Sequence, residues 1–357
     1  MSLSVGIVGL PNVGKSTLFN SLTKQQALAA NYPFATIEPN HGIVHVPDER
    51  LNELAKIVNP GKIVPATVEF VDIAGLVEGA NKGEGLGNAF LANIRETDAI
   101  VEVVRYFESG NIVHVTGPLD PEGDAEVIRT ELVLADLATV EKALPRLEKE
   151  TKKNAKDTGA KLEYETAKRL VAHLNENRRA SEMEMTDDER ASIYDLHLIT
   201  MKPFLYVANV SDEQLGQELA PIDGITPIPI CAQIEADLTE LDDDEAKEYL
   251  SELGVEATGL DTLIRKTYDL LGLQYFFTAG EIEVKAWTIH KGDKAPQAAG
   301  VIHSDFEKGF IKAETISYED YIAYQGEVGC RNAGRLRMEG KDYVVQDGDV
   351  MHFRFNV

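Results

Sequence analysis

Short apolar runs, broken by polar and glycine-rich segments, open the chain. Val5–Leu10, Gly42–Val46, Ala66–Val71 and Ala99–Val104 predict strands. A helix-like run, Ser16–Thr23, follows the first of them. This alternation predicts an α/β domain: a mostly parallel sheet with helices on both faces. From about Asp124 to Asn177 the period changes. Val133, Leu137, Val140, Leu144 and Leu147 step by four and three, a heptad seam. Lys156-Asp157-Thr158-Gly159 marks a turn, and Ala160, Ala167, Leu170 and Leu174 carry a compatible seam onward. The pattern predicts an antiparallel helical coiled coil inserted at about 124–200, its first helix kinked or broken at Pro145. Pro203–Ala208 and Ile225–Ile230 read as strands again. After Gly272 come short alternating strands at Ile282–Ile289, Phe310–Thr315 and Asp342–Phe355, with a helical piece near Gln297–His303. Asp347-Gly348 is a hairpin-turn signal. Two domains are expected, 1–278 with its insertion and a small α+β module at 279–357.

The first strand runs into Gly9-Leu10-Pro11-Asn12-Val13-Gly14-Lys15-Ser16-Thr17, which fits G-x-x-x-x-G-K-[ST] in the strand–loop–helix context the motif needs. Glycines let successive N–H groups turn inward around an anion, and the helix N-terminus adds positive charge. The backbone of Asn12, Val13 and Gly14, with Lys15, Ser16 and Thr17, is therefore the candidate phosphate cradle. Lys15 can reach β- and γ-phosphates, and the Ser16 hydroxyl can ligate Mg²⁺.

Three later segments suit the same chemistry. Thr36 lies in the proline-rich loop Asn31–Asn40 and could close on Mg²⁺ and a γ-phosphate. Asp72-Ile73-Ala74-Gly75 ends a strand; Asp72 can hold Mg²⁺ through water and the Gly75 N–H can sense the γ-phosphate. The glycine-rich stretch Gly79–Gly87 suits a segment that orders or melts with that phosphate. Many GTPases place glutamine directly after D-x-x-G to orient water; Leu76 stands there and cannot. Asn209-Val210-Ser211-Asp212 is half of a guanine signature, with Val210 in place of its lysine. Cys231-Ala232-Gln233 resembles the second base-side loop. His114, between apolar residues in a loop, reads from its surroundings as structural.

Composition narrows the classes. Of 357 residues 43% are hydrophobic and 27% charged, as in soluble globular proteins. Two distant cysteines, Cys231 and Cys330, offer neither a disulfide framework nor zinc spacing, and a cytoplasmic setting is expected. No apolar run is long enough to span a bilayer. A net charge of −25 repels DNA and anionic membranes, so any RNA contact must be local. The candidate is the hairpin: Lys149, Lys152, Lys153, Lys156, Lys161, Lys168, Arg169, Arg178 and Arg179. Ion pairs such as Glu148–Lys152 and Glu165–Arg169 are the alternative use of that charge.

The phosphate loop, Asp72–Val77, Gly83–Asn88, Asn209–Asp212 and Ala295–Phe306 together resemble the Obg-like ribosome-binding ATPases of the YchF type, over essentially the whole chain. The resemblance implies a P-loop NTPase G domain with a coiled-coil insertion and a C-terminal TGS domain of β-grasp shape. It implies Mg²⁺-dependent hydrolysis of ATP in preference to GTP, and ribosome binding with roles in translation and stress, the TGS domain and the basic hairpin being the expected contacts. It gives His114 the water-positioning role, and Asn12 a part in holding K⁺. The family usually shows Asn-x-x-Glu where this chain has Asp212, which leaves GTP open as substrate. A GTPase of ribosome assembly and a non-catalytic, nucleotide-gated adaptor remain alternatives.

Overall fold

The computed structural model describes residues 3–29, 40–73, 86–107, 119–153, 156–241, 243–252, 255 and 257–356. Its strands are β1 (Ser4–Val8), β2 (His41–His45), β3 (Ile63–Val64), β4 (Thr67–Asp72), β5 (Ala99–Arg105), β6 (Phe204–Asn209), β7 (Ile228–Ile230), β8 (Leu273–Ala279), β9 (Val284–His290), β10 (Phe310–Ile316), β11 (Arg337–Glu339) and β12 (Val350–Phe355). Its α-helices are α1 (Lys15–Ala29), α2 (Glu49–Val58), α3 (Leu86–Glu96), α4 (Pro121–Lys153), α5 (Thr158–Leu174), α6 (Asp187–Ser192), α7 (Ala232–Leu238), α8 (Asp243–Glu252), α9 (Gly259–Leu270), α10 (Ala295–Ile302), α11 (Ser304–Lys308), α12 (Tyr318–Ala323) and α13 (Glu327–Asn332).

The fold is α/β, and the chain divides into two compact units: 3–42 with 69–260, and 43–68 with 261–357. The sequence placed this division at 278/279 and left 43–68 in the first domain.

One sheet has the strand order β2-β4-β1-β5-β6-β7, with β1 parallel to β4 and β5, and β5, β6 and β7 parallel in turn. Every residue of β5 is buried, which is why it reads as a mostly apolar run, with Glu102 and Arg105 as its charged positions. β1 lies where the strand order reverses, and ligands of open parallel sheets bind beyond the strand ends at such a point.

The insertion is a helical hairpin, as its seam predicts. Val133, Val140 and Leu147 of α4 meet Ala167, Leu170 and Leu174 of α5 in one core. Asp157 caps α5, accepting from the N–H groups of Gly159 and Ala160. α4 does not break at Pro145; that residue is exposed, and the neighbouring Leu144 and Leu147 keep their places in the seam. Asp136 was not read as structural, yet it is fully buried. Its carboxylate accepts from the Ile199 and Thr200 amides at 2.8 and 2.7 Å and from the Thr200 hydroxyl at 2.6 Å, tying down the returning chain. Arg179, counted in sequence with the basic surface, is instead 6% exposed. It stacks on Phe204 at 4.4 Å and donates to Asp223 at 2.8 Å, which also accepts from the Tyr206 hydroxyl at 2.8 Å. Glu102 lies buried in this group, and burial pushes its carboxyl well above the usual carboxylate range.

The second unit holds a six-stranded sheet, β11-β10-β12-β8-β9-β3. β8 and β12 are parallel at its centre, with β9 antiparallel to β8 and β10 antiparallel to β12, a β-grasp arrangement. The sequence pattern does not mark β8, because it follows helix α9 with only Leu271 and Gly272, the latter at φ +66°, between them. Phe276, Phe310, Met351 and Phe353 pack against Ala298 and Ala299 of α10. The turn at Asp347-Gly348 exists, with Gly348 at φ +81°, but Asp342–Asp349 is not strand, so no hairpin forms there. Segment 43–68 belongs to this unit through Arg50, which pairs with Asp48 and Asp347 and lies 5.3 Å from the ring centres of both Tyr275 and Phe277.

Candidate functional site

The loop between β1 and α1 is shaped by residues that accept left-handed backbone. Asn12 has φ +65° and Gly14 φ +94°. Alternation of this kind turns N–H groups toward one side and makes an anion-binding nest. Both glycines of the motif are also sterically required. A Cβ on Gly9 would lie 2.7 Å from the Val103 carbonyl oxygen, and one on Gly14 would lie 2.1 Å from the Asn209 amide nitrogen. Val13 anchors the loop with its side chain buried, while Asn12, Ser16 and Thr17 stay exposed and open to a ligand.

β1 pairs with β4 so that Ile7 faces Asp72. Lys15 follows β1 and Asp72 ends β4, so the two reach the same edge of the sheet. Their side chains form an ion pair, only 11% and 14% exposed. A positive charge therefore already sits against Asp72 at the mouth of the loop.

Asn209 sits beneath the loop. Its side-chain amide donates to the Val13 carbonyl at 2.8 Å, and its oxygen accepts from the Ala232 N–H at 3.2 Å. The sequence read Asn209 as a base contact; its carboxamide is instead engaged in joining the phosphate loop to the loop after β7. Val210 was read the same way, but its side chain packs with Ala208, Cys231 and Ile234 in a buried cluster. Cys231 is 6% exposed and Ala232 5%, and burial pushes the Cys231 thiol up, so neither side chain offers chemistry. Asp212 alone of the four-residue motif presents an exposed carboxylate. Gln214, which no motif marked, holds this loop by accepting from the Ser211 N–H at 2.9 Å and donating to the Tyr106 carbonyl at 3.1 Å. Ser211 followed three residues later by Gln214 was the capping-box signal that could have found it.

Thr36, Gly75, Leu76, His114 and the stretch Gly79–Gly85 lie outside the described residues. Among the described residues no group of three or more His, Cys, Asp or Glu is placed to hold a metal, and no helix is long and apolar enough to cross a membrane. The oxygen donors present, the Ser16 hydroxyl and the Asp72 carboxylate, are of the hard type that Mg²⁺ takes while keeping waters.

On the hairpin, the charge is more neutralised than its count suggests. Lys152 pairs with Glu148 at 2.6 Å, as expected, but Arg169 pairs with Glu189 rather than Glu165, and Arg178 with Glu176. Lys149, Lys153, Lys156 and Lys161 are exposed, with no carboxylate partner among the described residues.

Residues 4–132 match the family described as 50S ribosome-binding GTPase, and residues 273–356 match the C-terminal family of YchF GTPases, described as a protein of unknown function. The ribosome-binding ATPase YchF of Escherichia coli O157:H7 is 54% identical, with 100% of both chains covered. That of Bacillus subtilis (strain 168) is 52% identical over the same full coverage. The solved structure of the Schizosaccharomyces pombe YchF GTPase has 40% identity and a TM-score of 0.89, covering 99% of this chain and 98% of that one. With identity of this order running from end to end and both units matched, the chain belongs to the YchF family.

Proposed function

We propose that this chain is an Mg²⁺-dependent triphosphatase that cleaves ATP, in preference to GTP, to ADP and phosphate and acts as a nucleotide switch on the ribosome. The observation that carries this reading is the meeting of Lys15 and Asp72 beside a loop of inward-turned amides. A triphosphate offers Lys15 a denser negative charge than one carboxylate, so the ammonium turns from Asp72 to the β- and γ-phosphates. The released carboxylate and the Ser16 hydroxyl, with Thr36, would hold Mg²⁺. Bound Mg²⁺ supplies neutralisation of charge on the phosphate oxygens. The backbone of Asn12–Gly14 and Thr17 cradles the phosphates, Gly75 reports the last of them, and His114 helps the attacking water. Asn12 as a K⁺ contact belongs to the same proposal.

ATP is favoured because Val210 is withdrawn into the core, so no lysine stem covers the base. Competition of ATP and GTP against one labelled nucleotide tests this directly. ATP should displace the label at a concentration about tenfold lower, a difference of about 1.4 kcal/mol. GTP winning overturns the base preference and leaves a GTPase. Displacement by neither overturns the function.

Ribosome binding is supported by the names of the relatives and by the exposed hairpin lysines. Charge reversal at Lys153, Lys156 and Lys161 should weaken co-sedimentation with ribosomes and flatten its salt dependence. Unchanged binding would remove the hairpin tip as a contact; the β-grasp unit is the other candidate.

A further inference from the structure

The second unit contains a cleft that the nucleotide reading does not use. β8 and β12 pair at Phe277 and Val350, the Phe277 amide donating to the Asp349 carbonyl at 2.8 Å. Beyond that point the pairing ends, while β8 runs on to Ala279 and β12 to Phe355. The space between them is a cleft of about 690 Å³ that also reaches the turn joining β8 to β9. That volume lies within the range of small-molecule sites, which are mostly apolar with a few placed polar groups.

The walls are aromatic and thioether surface: Trp287, Phe306, Phe353, Phe355 and Met351. They are held rigidly. Phe306 and Phe355 stack with centroids 3.8 Å apart, and the Trp287 indole N–H donates to the Thr278 hydroxyl at 2.9 Å. Trp287 already attracts a cation, since the Lys285 ammonium lies 3.5 Å from its ring centre despite burial that lowers its pKa.

The charged side chains that line the cleft are acidic, and the Lys285 cation lies against the ring of its wall residue Trp287. Four glutamates, Glu281, Glu283, Glu314 and Glu327, border the cleft with His352, and no lysine or arginine lines it among the described residues. Glu283, Glu314 and Glu327 have partners that do not line the cleft, Lys62 at 2.9 Å, Arg354 at 3.1 Å and Arg331 at 2.6 Å. The exposed Glu281 carboxylate has none among the described residues. Aromatic walls with a carboxylate rim suit a flat apolar body joined to a positive charge, and oppose phosphate groups.

We propose that this cleft is a binding site for a small aromatic molecule carrying a protonated amine, its ring against Trp287 and Phe306 and its ammonium toward Glu281 and Glu327. Every lining residue lies between 278 and 355, so the proposal does not rest on the nucleotide loop or on the ribosome reading. Trp287 is the chain's single tryptophan, so emission of the full-length protein excited at the red edge of indole absorption, where the 12 tyrosines do not absorb, reports on the cleft. Titration with phenethylamine, whose absorption lies below that of indole, should shift this emission saturably. Butylamine supplies the charge without the ring, and 3-phenylpropionate the ring with the opposite charge; both should leave the emission unchanged over the same range. Glu281→Gln with Glu327→Gln, which alters only exposed or half-exposed carboxylates, should weaken phenethylamine about fivefold, as two partly solvated charge contacts do. No saturable response to phenethylamine overturns the site. An equal response to phenylpropionate, or full affinity in the double variant, overturns the amine specificity.

Discussion

Replacing Lys15 by methionine should lower triphosphate turnover by about 10³-fold and weaken nucleotide binding at the same time, the scale on which a charge aimed at transferring phosphate acts. The stem of methionine fills the space of the lysine stem, so the loop should keep its shape, and the melting temperature serves as the control. Loss of affinity is part of the expectation because Lys15 meets the ground-state phosphates as well as the transition state. It also leaves Asp72, 14% exposed, without its partner in the empty state. His114→Ala should behave differently: turnover falls while nucleotide affinity, measured by calorimetry, stays at the parent value. A Lys15→Met protein that turns over at the parent rate would sink the phosphate-loop reading. A His114→Ala protein with parent turnover would remove only that residue from the chemistry.

Asn209→Asp should be the more damaging of two substitutions at the residue beneath the loop. The parent amide donates to the Val13 carbonyl at 2.8 Å and accepts from the Ala232 N–H at 3.2 Å, with the side chain 5% exposed. Alanine leaves a buried carbonyl and a buried amide without those partners, at about 1–3 kcal/mol each. Aspartate keeps the acceptor but turns a buried carboxylate oxygen on the Val13 carbonyl, and also places negative charge behind a phosphate cradle. Nucleotide affinity should therefore fall by about 10²-fold for alanine, or about 2.7 kcal/mol, and further for aspartate. Stability should fall in the same order. The check is calorimetric binding beside denaturant melts of both variants. If aspartate binds nucleotide as well as the parent does, the amide bridge does not hold the loop.

The parts of this protein legible in its sequence are those whose physics is local. The phosphate loop was readable because its glycines, lysine and hydroxyls must be consecutive, and Asn12 and Gly14 do adopt the positive φ that the motif needs. The helical hairpin was readable because a seam repeats every seven residues, and its α4 positions Val133, Val140 and Leu147 are buried as predicted. Pro145 misled because an exposed helix position tolerates a missing amide when the opposite face is packed. β8 was obscured for a related reason: a strand that follows a helix after only Leu271 and Gly272 has no turn cluster to announce it.

What remained hidden depends on strand order. Lys15 meets Asp72 across 57 residues only because β1 and β4 are neighbours in the sheet, and Asn209 meets Val13 across 196 because β6 lies beyond β5. The same ordering withdraws Val210 into the core and leaves Asp212 outside. In the second unit, the early segment 43–68 joins residues much later in the chain because Arg50 finds Asp347, 297 positions on, and two aromatic rings there. The sequence by itself determined which groups could handle a triphosphate and which helices would pair, since short-range sterics and periodicity decide both. Only the tertiary structure decided which of those groups touch, because pairing between distant strands is chosen by the free energy of the whole core and leaves no local mark on the chain.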